Sequence, residues 1–333
     1  MLQAEGCSQW FNLRRRAVIA TVVGAAAFAS SVALAQSDFP NKPVHFIVGF
    51  APGGPSDIIS RVIGAKMGDE LGQQVVVENR TGAGGTVATD YVARSDPDGY
   101  TILNTTTANP SNESLSKTLQ ARFGKDLAAV ATLADTANIL VVHPSLGVEK
   151  LADLIALAKK EGLLYATAGV GSATHLTSEL FNSMAGVKTM PVHYRGGGDA
   201  LKDLLSGQVK MMFSSIAPVI GYVQEGKLIG IATTGAKRDP AFPNLPTVAE
   251  AGLPGFETRL WIGITVPAGT PKPIIEKLAT AATKAALDPS VVATLAKQGF
   301  QPLVMNPEQF DSYYRAERDK WGKVIKDTGM DKN

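Results

Sequence analysis

Cysteine is nearly absent from this sequence of 333 residues, and neither sign of charge is in excess. The single cysteine, Cys7, precedes an apolar run near the N-terminus. Beyond that residue there is no cysteine for a disulfide, a thiolate nucleophile or a cysteine-based metal site. Lysine and arginine number 32 and aspartate and glutamate 30, for a net charge of +2. The strongly basic composition of a nucleic-acid-binding protein is therefore missing, and we expect no nucleic-acid partner.

The first 35 residues have the pattern of a secretory signal peptide. The segment Arg14–Arg16 is positive, residues 17–34 are apolar and small, and Ala33–Ala35 matches the A-x-A cleavage signal. A membrane anchor is the alternative, but the small residues and the cleavage signal argue against it. We expect export to the periplasm with cleavage after Ala35, which also removes Cys7. No later stretch approaches the roughly 18 apolar residues of a membrane span.

Short apolar runs alternate with helical patterns from Pro43 onward, which is typical of an α/β protein with a largely parallel sheet. The predicted strands are Val44–Val48, Val75–Val77, Tyr100–Leu103, Ile139–Val142, Leu164–Ala168, Met190–Tyr194, Met211–Ser214, Ile229–Thr233 and Trp261–Val266. They form two sets, and an amphipathic helix is predicted over about the last 25 residues. We therefore predict two α/β lobes around a central cleft, joined by crossing strands near residues 130–140 and 258–266.

Four glycine-rich turns stand between a predicted strand and a predicted helix. We call them the first turn (Phe50–Asp57), the second turn (Thr81–Thr86), the third turn (Ala168–His175) and the fourth turn (Tyr194–Asp199). Each places glycine before a helix N-terminus, where free backbone amides and the helix dipole attract anions. Ligands of open α/β sheets bind at the carboxyl ends of the strands. The four turns together predict a cleft that holds a small anion, although each turn alone is also typical of ordinary strand-to-helix connections.

Several polar side chains in these turns have two possible roles. The hydroxyls of Ser56, Ser172, Thr174 and Thr86 can donate hydrogen bonds to a carboxylate or cap a helix, and the two roles are compatible. Asp57 is expected to cap the first helix. Arg195 is the cation of these turns; it either makes bidentate contact with a carboxylate or lies at the surface.

Motifs for enzymatic chemistry are missing or incomplete. There is no P-loop lysine, no G-x-S-x-G elbow and no H-E-x-x-H pair, and the run Gly169-x-Gly171-x-x-Thr174 departs from the dinucleotide-binding fingerprint. His175 and Glu179 are four residues apart on one predicted helix. This spacing suits a metal pair, but it is far more common in capping or surface contacts. We expect no catalytic residue, no metal and no cofactor.

Three stretches carry a specific resemblance: VENRTGAGG, LPTVAEAGLPGFE and PAGTP. With GVGSATHLTSELFNSMAG and other segments, they make the chain from about residue 39 to its C-terminus resemble the Bug or TctC-like family, the periplasmic substrate-binding proteins of tripartite tricarboxylate transporters. The resemblance implies a type II periplasmic-binding-protein fold and a monomer. It places lobe 1 in residues 36–136 plus 260–333 and lobe 2 in residues 137–259.

The resemblance also implies that backbone groups, hydroxyl groups and water hold a ligand carboxylate. Carried onto this sequence, the expected ligand-binding residues are Phe50, Pro52, Gly53, Gly54, Ser56, Asp57, Gly84, Gly85, Gly171, Ser172, Thr174, His175, Tyr194, Arg195, Gly196, Gly197 and Ser214. Two departures from the family pattern matter. Pro55 removes a backbone donor from the first turn. Ser214 and Ser215 stand where an acidic residue is often found, so we expect an acid without an amino group.

The expected function is capture of a small organic carboxylate, a dicarboxylate without an amino group, and its delivery to the membrane subunits of a tripartite tricarboxylate transporter. One alternative keeps the binding role but makes a sensor kinase the partner. A second alternative is an enzyme that acts on a carboxylate. The sequence leaves open which acid binds and whether it is aliphatic or aromatic.

Overall fold

The computed structural model describes residues 39–194 and 196–330. Contacts divide the chain into a unit from Met1 to Asn41 and a unit from Lys42 to Asn333. Of the first unit only Phe39–Asn41 is described, with a cis peptide bond between Phe39 and Pro40. The signal peptide and its cleavage after Ala35 lie outside the described residues, and so does Arg195. The described strands and helices belong to the second unit.

Strands and helices alternate through the second unit, as the sequence predicts. The strands are β1 (Val44–Val48), β2 (Val75–Asn79), β3 (Thr101–Thr106), β4 (Leu127–Val142), β5 (Leu164–Thr167), β6 (Met190–His193), β7 (Met211–Ser215), β8 (Ile229–Thr233), β9 (Arg259–Pro267) and β10 (Gln301–Pro302). The α-helices are α1 (Pro55–Leu71), α2 (Thr86–Ala93), α3 (Ala108–Leu115), α4 (Leu151–Lys160), α5 (Ala173–Ala185), α6 (Gly197–Leu205), α7 (Ile220–Gln224), α8 (Lys272–Leu287), α9 (Pro289–Lys297) and α10 (Pro307–Thr328). The α/β class is confirmed.

The described strands follow the order β2-β1-β3-β9-β4-β7-β5-β6, and β8 and β10 also pair with β4. β1 is parallel to β2 and β3, and β5 is parallel to β6 and β7. We call β1–β3 the first strand group and β5–β7 the second strand group. They are joined by β4 and β9, which run antiparallel to each other and to their other neighbours. The sheet is therefore mixed, and the predicted parallel pairing holds within each group.

The long strand β4 links the two groups, because it pairs with β9 on one side and with β7 of the second strand group on the other. Its pairing with β9 extends from Leu127 opposite Pro267 to Ala137 opposite Arg259, and its last residues pair with β7 and β8. A partly buried ion pair between Asp135 and Arg259 adds a side-chain link between the two strands. The predicted crossing segments are thus strands, whereas the division into lobes at residues 136/137 and 259/260 stays a prediction.

Helix α1 shows how the sequence positions the first turn. Pro55 is its first residue, where the missing N–H costs no intrahelical bond. Ile59, Ile63 and Met67 recur at helical spacing and are fully buried. The helix ends at Leu71 and is capped by Gly72, which has a left-handed φ of 70° and whose N–H donates to the Gly68 carbonyl.

The C-terminal helix α10 confirms the predicted amphipathic pattern. Glu317 on this helix is buried, and its Oε2 accepts hydrogen bonds from the indole Nε1 atoms of Trp261 at 3.1 Å and Trp321 at 3.0 Å. Trp321 also packs with Leu176 of α5. Because Trp261 lies on β9 and Leu176 on α5, these contacts tie the helix both to strand β9 and to the helix that follows the third turn.

We predict that Glu317→Ala lowers the free energy of unfolding by roughly 2–6 kcal/mol, because two buried indole N–H groups lose their acceptor. Asp319→Ala is the matched control on the same helix, since Asp319 makes only an exposed ion pair with Arg318 and such pairs contribute about 0–1 kcal/mol. Urea unfolding followed by circular dichroism measures both. Equal losses in the two variants would contradict the role given to Glu317.

Candidate ligand-binding cleft

A cleft of about 610 Å³ lies where turns from both strand groups meet. It is bounded by the residues after β1, the second turn, helix α3, the third turn and the residue after β6. Its lining residues are Gly49, Phe50, Ala51, Thr81, Gly82, Ala83, Gly84, Gly85, Ala108, Asn112, Leu115, Ser116, Ala168, Gly169, Val170, Gly171, Ser172 and Tyr194. These segments follow the carboxyl ends of β1, β2, β3, β5 and β6. Carboxyl ends of strands are the position at which ligands bind in open α/β sheets.

A depression of about 530 Å³ lies at the opposite, amino ends of β1 and β3. Its walls carry both acidic and basic side chains, and Lys42 there contacts Asp98 and the ring of Tyr100. It is built from the first strand group alone. We therefore take the cleft between the two groups as the candidate site.

No charged side chain is among the lining residues of the cleft in the part of the chain that the structure describes. The polar side chains there belong to Thr81, Asn112, Ser116, Ser172 and Tyr194. The Tyr194 hydroxyl donates a hydrogen bond to Asp203 Oδ2 at 2.6 Å, and burial together with that carboxylate raises the pKa of Tyr194 to about 12. The described lining thus presents neutral groups to a ligand.

Asp57 stabilises the first turn through hydrogen bonds and an ion pair, and it lies outside the cleft lining. Its carboxylate accepts hydrogen bonds from the Gly53 amide at 2.9 Å and from Asn79 Nδ2 at 2.9 Å, and it pairs with Arg61 at 2.9 Å. Burial alone would raise the pKa of Asp57, but these three partners outweigh it and hold that pKa below its ordinary value. Asn79 Nδ2 also donates to the Phe50 carbonyl at 3.0 Å. The charged group therefore fixes the shape of the turn.

Only the start of the first turn reaches the cleft lining. Phe50 lines it, and the other expected ligand-binding residues of this turn do not; they are Pro52, Gly53, Gly54, Ser56 and Asp57. Gly54 is the N-cap of α1, and the Ser56 side chain is buried. The contact of these residues with a ligand remains a prediction.

The second turn lies against the end of β1. A Cβ built on Gly49 would stand 2.8 Å from the Gly85 Cα, so no larger residue fits at position 49 without displacing the turn. Gly84 and Gly85 line the cleft with φ values of 65° and 95°, in the left-handed region that favours glycine. Asn112 Nδ2 of α3 donates to the Gly84 carbonyl at 2.8 Å and holds the turn from the other side.

Most backbone amides of the third turn already donate hydrogen bonds to neighbouring groups of the protein. The amides of Ala168 and Gly169 donate to Thr174 Oγ1 at 2.9 Å and to Thr167 Oγ1 at 3.2 Å. The Gly171 amide donates to His175 Nδ1 at 3.1 Å. The expectation that these amides are free for an anion is wrong for these three residues, because neighbouring side chains accept their hydrogen bonds.

Ser172 caps a helix, one of the two roles expected for it, whereas its hydrogen bond to a ligand carboxylate remains a prediction. It is the N-cap of α5, where its Oγ accepts from the His175 amide at 3.3 Å, and it also lines the cleft. Its hydroxyl donates to the Gly169 carbonyl at 2.7 Å. Thr174 lies behind it, with its Oγ1 3.0 Å from Ser172 Oγ, and does not line the cleft.

His175 lies beneath the third turn and outside the cleft lining. Its side chain is 5% exposed, and its ring meets that of His193 edge-on at 4.6 Å. Burial, with a contribution from His193, lowers the pKa of His175 to about 4. Glu179 takes its own partners, Tyr165 and Asn182. No cluster of metal ligands occurs among the described residues, and His175 and Glu179 do not act as a pair.

The remaining expected residues are spread around the fourth turn and β7. Tyr194 lines the cleft and Arg195 lies outside the described residues. Gly196 is the N-cap of α6, and Gly197 is the first residue of that helix; neither lines the cleft. Ser214 is buried on β7, and its hydroxyl donates to the Ser215 carbonyl at 2.9 Å.

Sequence reasoning missed helix α3. Its contribution to the cleft wall comes from Ala108, Asn112, Leu115 and the following Ser116. The signal was a short polar run, Asn109–Asn112, directly after a buried strand; the structure buries these polar residues. A Cβ on Gly171 would stand 3.4 Å from Asn112 Oδ1, so α3 reaches across to the third turn.

A comparison with known protein families identifies the family of this chain. Residues 59–330 match the model of the tripartite tricarboxylate transporter family receptor, TctC. The chain belongs to this family. The expectation drawn from the sequence motifs is thereby confirmed, and members of the TctC family are solute-binding proteins.

Solved structures support the same assignment. The chain is 34% identical to R. palustris Rpa4515 with adipate, with a TM-score of 0.79 over 88% of this chain and 99% of that one. It is 32% identical to the periplasmic binding protein BugD, with a TM-score of 0.78 over 88% and 99% of the two chains. It is 34% identical to MatC from Rhodopseudomonas palustris with bound malate, with a TM-score of 0.76 over 86% and 100%.

These similarities confirm the periplasmic-binding-protein fold for this TctC protein. Among the helices that the structure describes, none has the length and apolar character needed to cross a bilayer.

We predict that Gly49→Ala destabilises the protein by about 1–3 kcal/mol and displaces the second turn, because the new Cβ overlaps the Gly85 backbone. Gly198→Ala in the exposed first turn of α6 is the matched control, since a Cβ there meets no atom within 4 Å. Alanine should stabilise that helix by about 0.5–1 kcal/mol. Urea unfolding distinguishes them, and equal effects would contradict the close packing at Gly49.

We also predict that stability falls as the pH is lowered from 6.5 to 4. The pKa of His175 is about 4 in the folded protein against 6.5 in the unfolded chain, so the unfolded state takes up the proton first. The stabilisation is complete above pH 6.5 and is lost progressively below it, by on the order of 3 kcal/mol. Urea unfolding at both pH values measures this loss, which should shrink in His175→Asn. An unchanged loss in that variant would rule out His175 as its source.

Proposed function

We propose that this TctC protein acts in the periplasm, where it binds a small organic dicarboxylate without an amino group and delivers it to the membrane subunits of a tripartite tricarboxylate transporter. The observation that carries the proposal is the neutral cleft between the two strand groups. Two similar proteins, solved with adipate and with malate, hold diacids that lack an amino group.

Helix termini supply the attraction for the anion. Helix α5 begins directly after Ser172, and α2 begins at Thr86, directly after Gly85; both preceding residues line the cleft. The positive ends of these helices favour a carboxylate, by about 0.3–1 kcal/mol each at exposed sites and more when the site is shielded from water. A ligand that bridges the second and third turns would meet both helix ends.

The chemistry of the lining argues against an amino acid as ligand. A bound ammonium group needs an acidic or strongly accepting partner when it leaves water. The described lining contains no aspartate or glutamate, and the carboxylates of Asp57 and Asp203 are directed to partners of their own. Ser214 and Ser215 add no acidic group on β7.

We also propose that Arg195 binds the ligand. This rests on its sequence position alone, between the lining residue Tyr194 and the N-cap Gly196. A guanidinium there would give bidentate contact to one carboxylate of a diacid. It would be the cation of a site that is otherwise neutral.

We predict that adipate or malate raises the melting temperature of residues 36–333 in a thermal-shift assay, whereas aspartate and glutamate do not. A ligand specific to the folded state adds about 2.7 kcal/mol at a hundred times Kd. Mass spectrometry of the denatured protein first confirms that no ligand was carried through purification. Preferential binding of aspartate or glutamate would contradict the proposed ligand class.

Two further readouts separate this proposal from its alternatives. Chromatography of the incubated diacid should show no turnover, because a binding protein leaves its ligand unchanged. The ligand-loaded protein should co-purify with the transporter's membrane subunits. Turnover of the diacid would instead identify an enzyme, and capture of a sensor kinase alone would identify a sensory role.

A further inference from the structure

The side chain of His175 holds the third turn at Gly171. His175 Nδ1 accepts the Gly171 amide at 3.1 Å, and Gly171 has a φ of 73°, in the left-handed region. The other amides of this turn are held by the short hydroxyl side chains of Thr167 and Thr174. The imidazole is therefore the support at Gly171, which lies against α3.

Gly171 also packs against helix α3. A Cβ on Gly171 would stand 3.4 Å from both Asn112 Oδ1 and Leu115 Cδ1 of α3. All three residues line the cleft, whereas His175 does not. Any movement of Gly171 away from the imidazole thus changes the position of the third turn relative to α3, and both segments are walls of the cleft.

The imidazole is itself fixed in place. The His193 ring of β6 meets it edge-on at 4.6 Å, and the Tyr165 ring of β5 stacks near it at 6.5 Å. His193 Nδ1 is 2.8 Å from Thr167 Oγ1, which accepts the Gly169 amide. Two histidines thus underlie one turn, one directly and one through a threonine.

We infer that His175 is a positioning residue of the ligand cleft: its unprotonated Nδ1 holds the Gly171 amide and thereby fixes the third turn at the distance from α3 that the diacid requires. The inference rests on the proposed function and gives His175, expected from the sequence to contact the ligand, an indirect role. Because Nδ1 is the acceptor, the proton of the neutral ring is on Nε2.

Two substitutions separate the acceptor from the bulk of the ring. His175→Asn keeps an oxygen acceptor at the δ position, whereas His175→Leu places a methyl group there and removes the acceptor. In the ligand-free protein, we expect hydrogen exchange at the Gly171 amide to be roughly tenfold faster in His175→Leu than in the wild type, and close to wild type in His175→Asn. The Gly72 amide, which caps the remote helix α1, reports that both variants remain folded.

The second measurement is the affinity for adipate and for malate by titration calorimetry. We expect His175→Leu to weaken binding by roughly tenfold and His175→Asn to restore most of it. Equal Gly171 exchange in all three proteins, or equal weakening by both variants, would overturn the inference. If the wild type binds neither diacid, the ligand class proposed above fails, and the exchange measurement by itself still decides whether His175 holds the turn.

Discussion

Backbone pairing between β4 and β9 is the constraint on which the rest of the molecule depends. β4 continues beyond this pairing into the second strand group, so a single strand fixes where the two sets of turns stand. Nearly every residue of β4 is buried, and a shift of one residue would exchange the two faces of the strand. The Asp135–Arg259 ion pair adds a charged link to this pairing. The position of the cleft therefore depends on the register between β4 and β9.

Ionisable groups near the cleft support the turns and leave the lining neutral. Asp57 binds the first turn together with Arg61 and Asn79, and Asp203 accepts the Tyr194 hydroxyl. His175 supports the third turn in its uncharged form. A carboxylate bound there, as proposed, would meet hydroxyls and helix ends without a competing negative charge in the described lining, an arrangement that favours an anion.

The sequence predicts much of this architecture because strands and turns carry local signals. Val44–Val48 is rich in β-branched and aromatic residues, and its observed bounds are those predicted. The sequence predicts a crossing strand near residues 130–140 and a strand at Ile139–Val142, but it does not show that they form the single strand β4 (Leu127–Val142), since Leu127–Asn138 is rich in alanine and has few of those residues. Its extended form is set by pairing with β9 and by burial, which are tertiary effects.

The same difference between local signals and tertiary contacts explains which parts of the candidate site could be predicted from the sequence. Glycine-rich turns identify Phe50, Gly84, Gly171 and Tyr194, which the structure places together in the lining. They do not show which amides are already bonded inside a turn, because that depends on side-chain geometry such as the reach of His175 to Gly171. Nor do they show that α3 closes the wall, since Asn112 reaches the cleft through packing between distant segments.

The central claim is that a diacid binds between the second and third turns. Selective ¹⁵N labelling of glycine allows this to be measured directly, because the lining contains Gly49, Gly82, Gly84, Gly85, Gly169 and Gly171. On titration with adipate or malate, the amide signals of these glycines should shift, while those of the remote helix-capping glycines Gly72 and Gly329 should not. Shifts confined to glycines outside the cleft, or none from the second and third turns, would contradict this account of the binding site.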